Sequence, residues 1–113
     1  TIVVRPAETL TVAYQRMKLY DVSQLPVMDG DQIVGILDES DVLMKVIDNP
    51  TAFQAPVSDA MITKLDQVQV STPVNALLPM FDRGHVAIVM DGERFIGLIT
   101  RMDVLNYLRR RAQ

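Results

Sequence analysis

The 113-residue sequence contains no cysteine. That absence excludes disulfides, thiolate nucleophiles and cysteine-ligated zinc, and it favours a cytosolic setting. No apolar run approaches the ~20 residues that a membrane-spanning helix needs. The opening Thr1-Ile2-Val3-Val4-Arg5-Pro6 lacks the basic start and long apolar stretch of a secretory signal. The only histidine, His85, has no second histidine with which to build a metal set. It reads as a packing or hydrogen-bonding residue at a strand start. No Walker loop, no G-x-G-x-x-G and no G-x-S-x-G turn is present, so neither a phosphate loop nor a Ser-His-Asp triad is indicated. A basic excess is missing too. The formal net charge is −3, which argues against a general nucleic-acid binder.

What is present is a core. Apolar residues make up 49% of a chain long enough for one compact unit. The chain starts at Thr1 and enters a strand-like run at once, which points to a missing N-terminal part of a longer protein. Ile2-Val3-Val4 reads as a short strand stopped by Pro6. Thr9 is placed to cap a helix with Leu10, Ala13, Tyr14 and Met17 on its apolar face, ending near Asp21. Gln24 to Met28 reads as a strand whose Pro26 cannot donate to a ladder. Asp29-Gly30 signals a hairpin of type I′, with positive φ at both central residues. Gln32 to Leu37 is the return strand, uniformly apolar enough to be covered on both faces. A helix through Val42, Leu43, Val46 and Ile47 starts at Asp38 or Ser40 and ends before Pro50. Residues 50–57 show no period, and Val57 to Met61 reads as one helical turn.

The design then repeats. Val68 to Val70 is a strand. Thr72 is expected to cap a helix with Pro73 at its first position, and Pro79 is expected to kink or shorten it. Val86 to Met90, the hairpin Asp91-Gly92, Phe95 to Thr100 and a helix from Met102 to Arg111 follow. Each copy is β-α-β-β-α, an α+β pattern. The boundaries are repeat one at 1–49, a linker at 50–61 and repeat two at 62–113. The seven methionines read as core filling. Arg109-Arg110-Arg111 complement the dipole at a helix end.

The junction from second strand to helix carries the chemistry. In the later copy Gly97, Thr100 and Asp103 stand at G-x-x-T-x-x-D spacing. A helix N-terminus offers backbone N–H groups and a positive dipole end. There a threonine hydroxyl can meet a phosphate, and a carboxylate three residues on can accept two ribose hydroxyls. Gly97 admits a ligand or a neighbouring backbone. Thr-x-x-Asp is equally a capping box with aspartate in place of glutamate, and spacing leaves both readings open. The earlier copy has Gly35, Asp38 and Asp41. Asp41 can hold a ribose, but Asp38 repels phosphate, so this site is expected to be weaker for nucleotides or empty. No catalytic nucleophile or metal set accompanies either junction.

The tandem repeat, with Leu25-Pro26-Val27, Asp29-Gly30, the spacing from Gly35 to Asp41, and Gly97-Leu98-Ile99-Thr100-Arg101-Met102-Asp103, resembles a pair of CBS domains. That resemblance implies a regulatory module, not an enzyme. It implies two repeats packed about a pseudo-twofold axis, with clefts for an adenosine-containing effector: AMP, ATP or S-adenosylmethionine. Thr100 would then meet phosphate or ribose, Asp103 the ribose hydroxyls, and Leu98 and Met102 the adenine. The opposite wall would come from Val22 to Gln24. Asp38 departs from the family's Thr or Ser. The run from Ile99 to Leu108 is most similar to the end of cystathionine β-synthase-type, pyridoxal-phosphate-dependent enzymes, which implies an attached N-terminal enzyme domain. The sulfonium of S-adenosylmethionine suits the acidic balance of the chain. No covalent cofactor, nucleic acid or membrane is implied, and a homodimer is. The alternatives are a ligand-free dimerisation module, or a regulator of another enzyme or transporter.

Overall fold

The computed structural model describes residues 2–82 and 86–112; His85, read above as a packing residue, lies outside them. The chain divides into two compact units, residues 1–64 and 65–113.

In the first unit, helix α1 (Leu10–Tyr20) starts where expected. The Thr9 hydroxyl accepts the Val12 N–H at 3.3 Å. The helix stops at Asp21, which takes the left-handed conformation (φ 53°). Strands β1 (Gln24–Asp29) and β2 (Gln32–Asp38) form an antiparallel pair. The hairpin differs from expectation. Asp29 stays in the strand opposite Gln32, and Gly30 is the only central residue with positive φ (63°). That is the II′ pattern, with glycine first, not I′. Helix α2 (Glu39–Val46) follows directly from β2.

The expected Ile2–Val4 strand shrinks to a single parallel bridge between Val4 and Val27. The Val4 N–H donates to the Pro26 carbonyl at 3.0 Å, and the Met28 N–H donates to the Val4 carbonyl at 2.9 Å. Pro6 ends the extended run before a longer ladder can form. Residues 50–62 fold back on this unit through 3₁₀ turns at Pro50–Gln54 and Val57–Asp59. The Leu10, Val57 and Ser58 N–H groups donate to the carbonyls of Ala55, Glu8 and Pro6. Ile62 exchanges two backbone bonds with Ile36, at 2.9 and 2.8 Å. Arg16 grips Glu8 with both guanidinium nitrogens at 2.6 Å and also reaches the Val3 carbonyl. That hydrogen bond holds the Glu8 carboxyl below its ordinary pKa and raises that of Arg16. Leu10, Leu25, Val27, Leu37 and Val57 are fully buried in one cluster.

In the second unit, β3 (Gln67–Gln69) runs parallel to β4 (Ala87–Asp91), which pairs antiparallel with β5 (Arg94–Ile99). The order is β3-β4-β5. The first helical stretch corrects one expectation. Pro73, not Thr72, holds the cap position, and no side chain caps it. The extended ψ of Pro73 (147°) keeps it out of the helix. A 3₁₀ turn (Val74–Leu77) leads into α3 (Leu78–Asp82). Pro79, which cannot donate to the carbonyls of the preceding turn, stands where the 3₁₀ turn passes into α3, and the regular helix is only five residues long. Helix α4 (Arg101–Arg111) has no buried residue. The core here is smaller, built on Leu77, Phe81 and Ala87.

The two hairpins match in detail. Val27 pairs with Gly35 and Val89 with Gly97, and each ladder shifts register after that valine. The methionines do not all fill the core. Met17, Met28 and Met90 are buried, but Met44 and Met102 are 75% and 62% exposed. Both exposed ones lie on the helices that follow the hairpins. Truncating Leu37, whose side chain is fully buried, tests the first core. Leu37→Ala is expected to lower unfolding free energy in urea by about 2–5 kcal/mol, whereas Leu19→Ala, at an exposed position, should change it by less than about 0.5 kcal/mol.

Candidate functional site

A strand that runs straight into a helix must turn its last residue into a cap. Both units do so in the same way. In the second, Thr100 is the N-cap, with extended backbone (φ −105°, ψ 169°). Its hydroxyl accepts the Asp103 N–H at 3.3 Å and donates to Asp103 Oδ2 at 3.1 Å. The Thr100 N–H donates to the same Oδ2 at 2.9 Å. This is a full capping box. Among the described residues, Asp103 Oδ1 has no hydrogen-bond partner, and Asp103 is exposed. Leu98, half-buried, and Met102, exposed, stand two residues to either side of Thr100. Arg101 is exposed at the first helical position.

In the first unit the box is made of two acids. Asp38 Oδ1 accepts the Asp41 N–H, and Asp41 Oδ2 accepts the Asp38 N–H, both at 2.9 Å. Burial raises the Asp41 pKa, and the charge of Asp38 raises it further against the lowering effect of the Asp38 N–H. Gln24 sits directly opposite Asp38 in the ladder. Ser23 accepts the Glu39 N–H at 3.1 Å, tying the turn after α1 to the start of α2. Val22, half-buried, lies in that turn. The structure thus brings Thr100 together with Asp103, flanked by Leu98 and Met102, and brings Asp38 and Asp41 together beside Gln24.

The open question at the glycine is answered in the first unit. A Cβ on Gly35 would lie 2.7 Å from Met61 Sδ and 3.0 Å from the Ile62 carbonyl oxygen. The close approach there is by neighbouring chain, not by a ligand. The sequence reading also overlooked a cavity of about 590 Å³ between α1 and α2. Tyr14, Met17, Lys18, Val42, Leu43 and Phe53 are among its lining residues, with Val22 and Glu39 at the end nearest the box. Neither Asp38 nor Asp41 lines it. Its aromatic wall joins residues far apart in sequence (Tyr14 and Phe53, ring centroids 6.0 Å apart), so no local period marks it. The cavity's local signals were the apolar faces of the two helices, Tyr14 and Met17 on α1 and Val42, Leu43 and Val46 on α2.

Among the described residues no cluster of acids and histidine is placed to hold a metal ion, and no helix is long and apolar enough to cross a membrane. The raised pKa of Asp41 means that the folded state holds its proton more tightly than the unfolded chain. Stability from this group therefore falls as pH rises from the ordinary carboxylate range through the raised value. Asp41→Asn keeps an oxygen for the Asp38 N–H and removes the charge. At neutral pH its melting temperature is expected to equal or exceed that of the parent chain. The difference should close as pH drops toward about 3, below the ordinary aspartate value. A loss of equal size at both pH values would show that the charge is not what matters.

The whole chain then finds its relatives. It is 33% identical over 104 residues to the A-adding tRNA nucleotidyltransferase of Geobacter sulfurreducens, covering 90% of this chain and 12% of that enzyme. It is 26% identical over 118 residues to the cystathionine beta-synthase of Dictyostelium discoideum, covering 99% of this chain and 24% of that one. The chain thus spans a quarter or less of the length of these relatives. The crystal structure of CBSX2 in complex with AMP superposes with a TM-score of 0.84 at 22% identity, covering 98% of this chain and 89% of that one. The pattern of the CBS domain itself matches residues 1–48 and 57–110. With helix, hairpin and helix in the same order in both halves, preceded by a single bridge in the first and by β3 in the second, and a capping box at each strand-to-helix junction, the chain belongs to the CBS domain family and carries the domain twice.

Proposed function

We propose that this pair of CBS domains is a regulatory module that binds an adenosine-containing effector at the Thr100–Asp103 junction and modulates an attached enzyme. The observation that carries the reading is the free Oδ1 of an exposed Asp103 whose Oδ2 is already fixed by the Thr100 cap. A carboxylate held in place by its own helix pays little ordering entropy when it accepts ribose hydroxyls. Thr100 meets ribose or phosphate, and Leu98 and Met102 flank the adenine. The Asp38–Asp41 box carries two acids, so phosphate-bearing AMP and ATP favour the Thr100 junction over it. S-adenosylmethionine, with its positive sulfonium, is the effector best matched to the acidic chain. Similarity to the Dictyostelium synthase supports a pyridoxal-phosphate-dependent cystathionine β-synthase as the attached enzyme; a cytoplasmic setting, favoured by the absence of cysteine, is part of the same reading. In this reading residues 1–113 perform no catalysis themselves.

A second reading rests on a different observation. Helix α2 exposes Leu43 and Met44, with Ile47 just beyond it, and α4 exposes Met102, Leu105 and Leu108. Apolar helix faces of this kind suit pairing of two copies, and such a module would act by dimerisation, with or without effector.

Effector binding is expected to raise the melting temperature by mass action in a panel of AMP, ATP and S-adenosylmethionine at millimolar concentration. Asp103→Ala should abolish the shift; Asp103→Asn, which keeps an acceptor for the cap, should weaken affinity about tenfold to hundredfold, as loss of a charged hydrogen bond implies. No shift with any of the three would remove the effector reading. Pairing is checked by light scattering. Leu43→Lys with Leu105→Lys should halve the molar mass of a dimer, and a monomeric parent chain would dismiss the second reading.

A further inference from the structure

All the lining residues of the cavity between α1 and α2 belong to the first unit, so the cavity is separate from the Thr100–Asp103 junction. At about 590 Å³ it falls within the ~300–1,000 Å³ range of small-molecule sites. Much of the lining is apolar. Met17 and Val42 are buried in the core, and Val46 and Phe53 pack against it. One wall is aromatic. The Tyr14 and Phe53 rings are tilted by 56° with centroids 6.0 Å apart. Two rings so placed form a corner that a third ring can enter edge-to-face. Tyr14 is exposed, which leaves the corner open to solvent.

Charged groups gather at one end. Asp21 closes α1 and Glu39 opens α2. The Ser23 carbonyl accepts the Glu39 N–H at 3.1 Å, which ties both acids to the same end of the cavity that they line. Among the described residues neither carboxylate makes a hydrogen bond or an ion pair. Lys18, also on the lining, lies over the Tyr14 ring at 5.2 Å and pairs with neither acid. Two unpaired acids against one base give that end a negative potential. The second repeat lacks this chemistry. Matching Val4 to Val68 and Val27 to Val89 sets Leu78 in the place of Tyr14, Asp82 in that of Lys18 and Arg101 in that of Glu39. The aromatic wall and the acidic end therefore come from the sequence of the first copy, not from the fold that the copies share.

We propose that the cavity between α1 and α2 binds a small aromatic amine, its ring in the corner of Tyr14 and Phe53 and its protonated nitrogen against Asp21 and Glu39. An ammonium group donates charge-assisted hydrogen bonds to carboxylates. A flat apolar body displaces water from Met17, Val42 and Val46. An anionic ligand of the same shape meets like charge at that end, and a neutral one leaves both acids unpaired. The inference does not depend on the identity of the adenosine effector, or on there being one.

The probe is naphthylethylamine, with naphthylethanol and naphthylpropionate as its neutral and anionic counterparts. Each is titrated into the whole chain at neutral pH and followed by amide NMR. The amine is expected to shift the amides of Tyr14, Val22, Leu43 and Phe53, and to bind about tenfold or more tightly than either counterpart. Asp21→Asn with Glu39→Gln should weaken the amine about tenfold or more and leave the affinity for naphthylethanol unchanged. Both positions are exposed, and asparagine suits the left-handed backbone at residue 21, so an unchanged melting temperature confirms that this variant is folded. Tyr14→Leu, which installs the second repeat's residue, should weaken the amine and the alcohol alike. Equal affinity for the amine and the propionate, a preference that survives the double variant, or binding indifferent to Tyr14→Leu overturns the proposal. So does a chain whose lining amides do not respond to millimolar amine, whether the cavity stays open or a second copy, seen by light scattering, occupies it.

Discussion

Both units depend on one reciprocal interaction, the pair of hydrogen bonds that closes each strand-to-helix junction. The cap side chain takes the N–H of the third helical residue, and that residue's carboxylate returns to the cap N–H. Two of the backbone donors that a helix start leaves unmet are thereby satisfied. The bonds also tie the end of the strand to the first turn of the helix. Aspartate occupies the returning position in both copies, while the cap alternates between Asp38 and Thr100. The geometry demands a carboxylate at one place and only a short oxygen-bearing side chain at the other. Charge at the junction is therefore the free variable: the first copy sets Asp38, Glu39 and Asp41 where the second has Thr100, Arg101 and Asp103, a formal difference of three charges.

Stability is shared unequally between the halves. The first unit buries Val4, Leu10, Leu25, Val27, Leu37 and Val57 completely, and residues 50–62 add to that core. Among the described residues the second unit has fewer buried side chains, and α4 has none. A junction held by local caps keeps its shape even above a thin core, since the capping bonds need no distant partner.

Much of this was legible because it is local. Helix starts at Thr9, Asp38 and Thr100, and hairpins at Gly30 and Gly92, follow from residue types at short spacing. The capping-box reading of Thr-x-x-Asp was legible too, and the box itself does not exclude a ligand. The errors share a cause. Thr72 carried the right chemistry for a cap, but the extended backbone of Pro73 pushed the helix start past it. Val4 bridges a strand more than twenty residues away, so no local run of β-branched residues measures the length of that strand. The role of Gly35 is set by Met61 and Ile62. The cavity between α1 and α2 depends on Phe53 reaching Tyr14. Hairpin register was readable from the repeat, whereas the turn type depended on which residue took the positive φ.

The bonds from residues 4–10 to residues 55–58 have a kinetic consequence. Leu10 to Ala55, Glu8 to Val57 and Pro6 to Ser58 each close a loop of more than forty residues. The first unit is thus dominated at its margin by contacts of high sequence separation, which slow folding by the entropy of loop closure. A growing chain released up to residue 50 holds the hairpin and both helices but not the strap that covers Leu10. It completes its core only when the connector to the second repeat has emerged, so the first repeat matures late, in step with the start of the second.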